Sequence, residues 1–175
     1  MIELSAATVL LQWATGGLLF LWVTTRRREV GVGYGWLLRS TYLVMAAGAL
    51  VVGLRFDPVG LRDAAAALVT VLAGVALVVS ILRRRAGVAN QRERETARSA
   101  RVEAMTGISR EVPAREAGVP EFPPALDIPP FVVGIAGLVA AGIAAGEPAW
   151  LSVARTVVGA LFLGAVTDAM LLGHW

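Results

Sequence analysis

Five apolar runs, each close to twenty residues, dominate what this chain can become: 5–25, 34–54, 64–82, 128–146 and 149–173. A helix needs about 20 apolar residues to cross about 30 Å of hydrocarbon, so each run has the length of one membrane span. Between them no convincing strand pattern occurs. The expected fold is all-α: a polytopic membrane protein with five transmembrane helices, a cytoplasmic helical extension and a Pro-rich loop between helices three and four. Composition agrees, because 57% of the residues are apolar and 17% charged, whereas about a quarter of the residues in a soluble domain are charged.

The charges divide the chain into three parts. Residues 1–82 carry the first three spans, 83–127 hold most of the charge, and 128–175 carry the last two. The first span has Glu3 before it and Arg26, Arg27 and Arg28 after it. A cleavable signal peptide has the opposite polarity, so a retained helix is expected. Spans two and three are joined by "RFDPVGLRD", where Pro58 and Gly60 mark a turn between antiparallel helices.

All sixteen basic residues are arginine. The loops after spans one and three hold twelve of them, while the loops after spans two and four hold Arg55 and Arg62 alone. Arginine accumulates in retained cytoplasmic loops, so the expected orientation in a plasma (inner) membrane places the N-terminus outside and the C-terminus and 83–127 inside. Within that loop, "RRRAGVANQRERETARSARVEAM" lacks proline and mixes Arg and Glu at helical spacings such as Glu95 to Arg98. The third helix is therefore expected to continue into the cytosol. The stretch from Thr106 to Pro130 has six prolines and is expected to be extended and irregular, since proline cannot donate helix-interior hydrogen bonds.

Several function classes find little material here. With no cysteine there are no disulfides, thiolate nucleophiles or covalent c-type haem. The single histidine, His174, is near the chain end and cannot assemble the usual zinc ligand sets or a buried Ser-His-Asp array. Paired axial ligation of a b-type haem lacks a second histidine. No cofactor is the first expectation, with b-type haem or a quinone near His174 as the minor one. No aromatic-and-basic nucleic-acid module appears, so anionic headgroups are the expected counter-charge for the arginines. Trp22, Trp36, Trp150 and Trp175 cluster towards span ends as an aromatic belt does, and Trp13 does not.

Two kinds of residue inside the spans carry more information. Gly137, Ala141, Gly142 and Gly146 in the fourth span, with Ala160 and Gly164 in the fifth, form small-residue faces that let helix backbones approach. Packing within the chain is the first expectation for them and dimerisation the second. Gln12, Arg39, Arg155 and Asp168 are polar within or just inside a span, where a charge at mid-bilayer costs about 2.5 to 3.5 kcal/mol on insertion scales. Arg155 lies near a helix end and can snorkel. Arg39 and Asp168 lie at equal expected depth, about 7 to 8 Å below the same interface, which allows a direct pair; the alternative expectation is that Arg39 snorkels to the headgroups and Asp168 faces a polar cavity or another subunit. Asp168 and His174, six residues apart, point to different faces.

These features lead first to a non-catalytic membrane subunit or assembly factor that meets other membrane subunits and anionic lipid. The alternatives are a proton or cation carrier using Asp168, and a redox subunit using His174.

Overall fold

The computed structural model describes residues 5–27, 32–85, 91–109, 120–146 and 148–172. Among them the fold is all-helical, with five helices long and apolar enough to cross a membrane. The helices are α1 (Ala6–Arg27), α2 (Val32–Phe56), α3 (Gly60–Leu82), α4 (Gln91–Thr106), α5 (Ile128–Ala144) and α6 (Ala149–Leu172). Large apolar side chains such as Val44, Val51, Val71, Val158 and Phe162 are exposed along the spanning helices, a surface suited to lipid and not to water.

Local chemistry explains where the helices start and stop. Val59, after Pro58, is extended with φ −125° and ψ 102°, and its N–H donates to Asp63 Oδ2 at 2.9 Å, which satisfies one donor left open at the start of α3. At the other end Arg84 N–H bonds Ile81 O at 3.2 Å, a tightened last turn. The expected continuation of α3 into the cytosol is corrected here. The helix ends at Leu82, and the charged segment forms α4 as an element of its own, packed closely on none of the spanning helices.

Helix α5 begins with Pro129 and Pro130 in its first turn, where proline has no intrahelical hydrogen bond to lose. It has only 17 residues. A 3₁₀ turn, Pro124–Asp127, leads directly into it and lengthens the apolar span to Pro124–Ala144.

Helix α1 is the axis of the bundle, packing on α2, α5 and α6, while α3 closes the ring between α2 and α5. Its buried residues Ala7, Leu11, Ala14, Leu18 and Leu21 recur at four and three residues, the spacing of a seam that keeps facing its neighbours. Helix α6 follows another rule. Its buried line is Ser152, Thr156, Ala160, Gly164 and Asp168, strictly four apart, which shifts the buried line round the helix by about 40° at each step. Every member of that line is small or polar, so α6 packs by close backbone approach more than by apolar bulk.

The closest approach joins α1 to α6. A Cβ at Gly16 would fall on the carbonyl of Ala160, and one at Gly164 would fall on the backbone of Gly16. The next residue, Gly17, lies against the ring of Tyr42 on α2. Gly137 meets Ala65 Cβ at 2.5 Å and Gly142 meets Val153 Cα at 2.6 Å, both measured from the Cβ each glycine lacks. Ala141 is buried in α5 and Ala160 in α6. Gly146 is the exception among the expected packing residues. It lies beyond the end of α5 at φ 110° with open space around it, so it turns the chain and packs nothing.

Candidate functional site

Buried polar side chains gather at the two ends of the bundle. At the end where α1 finishes and α2 starts, Arg39 meets the carboxylate of Asp127 with two parallel hydrogen bonds, Nε to Oδ1 at 2.8 Å and Nη2 to Oδ2 at 2.5 Å. The side chains are 3% and 0% exposed, and the guanidinium carbon lies 4.3 Å from the centroid of the Phe122 ring. The planar fork of arginine matches a carboxylate in this way, and the aromatic face adds a further attraction for the cation.

Of the two expectations for Arg39, the direct pair with Asp168 is thereby corrected, and so is snorkelling, since the guanidinium is buried on Asp127. The partner comes instead from the 3₁₀ turn before α5, at the end of the segment expected to be an irregular cytoplasmic loop. Asp168 accepts hydrogen bonds at Oδ1 from the hydroxyls of Tyr34 and Tyr42, both at 3.4 Å, and its buried Oδ2 has no partner among the described residues. Helical geometry separates the two acids. On α2, Tyr42 and Arg39 lie about 80° and 140° round from Tyr34, so the tyrosines face α6 while the arginine faces the turn before α5.

At the opposite end, between α2 and α3, Arg62 is 1% exposed and is held from several sides. Its Nε donates to Asp63 Oδ1 at 3.0 Å, and its Nη1 to Ser5 Oγ and Asp57 Oδ2, both at 3.0 Å. Its Nη2 bonds the Asp57 carbonyl and lies 2.9 Å from Asp63 Oδ1. The guanidinium, and after it the Ser5 hydroxyl, hold the Asp57 carboxyl below the usual carboxylate range. An open cavity of about 400 Å³ adjoins this cluster, with Thr8, Thr156 and the small side chains Ala141, Ala144 and Ala145 in its wall. By sequence Arg62 falls in the loop between spans two and three; the start of α3 at Gly60 places it in the first turn of the helix, where it is buried.

The remaining expected residues are spread along α1 and α6. Gln12, 3% exposed, donates from Nε2 to the carbonyls of Thr156 at 2.9 Å and Arg155 at 3.5 Å. Trp13, out of place in an aromatic belt, donates its indole N–H to Thr167 Oγ1 at 2.8 Å and so ties the same two helices. Arg155 is exposed on the flank of α6, and a groove of about 390 Å³ lies there, lined by Gln12, Ala154, Val158 and Gly159 beside it. His174 lies outside the described residues. Among the described residues no three His, Cys, Asp or Glu side chains converge as a metal site would require.

Sequence reasoning missed Asp127, Tyr34, Tyr42, Gly16 and the Arg62 cluster. The signals were present but weak: Asp127 two residues before the double proline at the start of a span, and tyrosines eight residues apart in the same span as Arg39. Comparison of the chain with protein-family models, curated proteins and solved structures gives no match.

Proposed function

We propose that this chain is a non-catalytic integral-membrane subunit or assembly factor of a larger membrane protein complex, lying in a plasma (inner) membrane with its N-terminus outside and 83–127 in the cytoplasm. The supporting observation is the contrast between its arginines inside the spans. Arg39 and Arg62 are buried and bound by carboxylates of the same chain, so these groups hold helices together. Arg155 is turned outward, and its guanidinium has no ion pair among the described residues. A cation on the lipid-facing flank of a span, beside a groove with an amide in its wall, suits a neighbouring span that carries a carboxylate. Purification in mild detergent is expected to recover other polypeptides at fixed stoichiometry. Arg155→Gln is expected to reduce that recovery while the chain stays folded. A single, functional species without partners would count against the proposal.

A second reading, a proton or cation carrier, is favoured by Asp168, whose Oδ1 meets two tyrosines while its buried Oδ2 has no partner among the described residues. Flux through reconstituted vesicles that is unchanged by Asp168→Asn would remove it.

A further inference from the structure

Helix α4 is sorted by charge. Taking Arg94 as the origin, Arg98 lies about 40° round the helix, Arg101 about −20° and Met105 about 20°, so the four occupy one narrow line. All four are exposed, with Met105 at 72%. The three guanidiniums have no ion pair or hydrogen bond among the described residues. The carboxylates of the helix point elsewhere, Glu93 and Glu95 about 100° to either side and Glu103 on the opposite face. Glu95, Ser99 and Val102 form a flank that is already partly covered. Arg98 stands three residues from Glu95, a spacing that can support a pair, yet the three arginines are aligned together and left open to solvent. Ile108, 67% exposed just past the helix, adds another apolar side chain at this end of α4.

We propose that the Arg94, Arg98, Arg101 and Met105 face of α4 docks onto the anionic phospholipid surface of the membrane in which the chain itself is embedded, the arginines on phosphates and Met105 and Ile108 just beneath them. The inference rests on the membrane-spanning fold and not on the accessory role. The chain leaves α3 at Leu82 and enters α4 at Gln91, and at about 3.5 Å per residue α4 cannot start more than about 30 Å from the end of a span. A surface within that reach is present at a high effective concentration, and attraction to it extends about one Debye length, near 8 Å at physiological ionic strength. Nucleic acid is the poorer occupant, because α4 offers no aromatic side chain on which bases stack. Each arginine on an anionic surface favours contact by about fivefold, so three together favour it by about a hundredfold.

The chain has no cysteine, so a single Ala97→Cys, beside the arginine line and exposed, carries a spin label cleanly. The full chain is reconstituted into phosphatidylcholine vesicles, with and without phosphatidylglycerol, and collisions of the label with a headgroup-attached relaxation agent are measured. The label is expected to contact lipid in the anionic vesicles only, to release at high salt, and to show a bound-to-free ratio of the helix about a hundredfold lower when Arg94, Arg98 and Arg101 are all changed to Gln. Glutamine forms helices about as well as arginine, and circular dichroism confirms that α4 persists. Equal contact in neutral vesicles, unchanged contact in the triple variant, or no contact in anionic vesicles would each overturn the proposal. In the last case, capture of α4 by an acidic polypeptide would reassign the face to a protein partner. A second label at Val44→Cys, on the lipid-facing side of α2, is expected to sense hydrocarbon throughout; if it senses water, the membrane-spanning fold has failed and not the docking.

Discussion

At the residue scale the pair of Arg39 and Asp127 decides most. A buried ion pair is weak evidence of net stability, because desolvating both charges offsets their attraction, yet removing one partner leaves the other buried and uncompensated at a cost of about 3–5 kcal/mol. Asp127→Asn is therefore expected to lower resistance to unfolding in detergent by about that amount. Adding Arg39→Met should restore much of it, since the second change removes the stranded cation. Additive losses in the double variant would show that the pair is not the coupling. Asp57 predicts a pH dependence. Arg62 and Ser5 depress its folded pKa, so its contribution is present above the unfolded value, about 3.9, and is lost as pH falls through the lower folded one. The side chain is 53% exposed, so the effect is small. Acid titration of helicity should lose its last stabilising step below about pH 4 in Asp57→Asn.

At the scale of elements, close approach of backbones replaces the apolar bulk that drives packing in water, because lipid offers no hydrophobic force between helices. The seam of Gly16 with Ala160 and Gly164 has no room for a methyl group, and the obstructing atoms are backbone atoms that cannot rotate away. Gly16→Ala is expected to cost at least about 1–3 kcal/mol, or to displace α6 from α1. Gly60→Ala, with open space around it in the first turn of α3, is expected to be neutral or slightly stabilising. Unfolding in denaturing detergent compares the two, and an equal response would refute the seam. The 3₁₀ turn before α5 belongs to this scale too, since one short turn both lengthens a span and carries Asp127 to Arg39.

For the whole molecule, orientation follows from where the arginines lie, and it is open to a direct test because the chain is free of cysteine. Leu61→Cys, exposed at the start of α3, is expected to react with a membrane-impermeant maleimide from outside intact cells, and Ala97→Cys in α4 only after permeabilisation. The reverse pattern would invert the proposed topology. Five helices, their approximate limits and the charged helix between the third and fourth spans were legible in the chain, because run length, proline and charge are local properties. The small residues of α5 and α6 were legible as packing faces, although Gly146 proved to be a turn. What no local pattern contained was the choice among partners. Arg39 had acids at two places in the chain within reach of the same bundle end, and only the assembled helices put Asp127 at the guanidinium and Asp168 among tyrosines. Gly16 showed no small-residue repeat within α1; its partners are on α6, and only helix crossing brings them together. Hydrophobic length determined the elements, while the direction of each side chain round its helix, fixed by the packing of α1 at the centre, decided which polar groups meet.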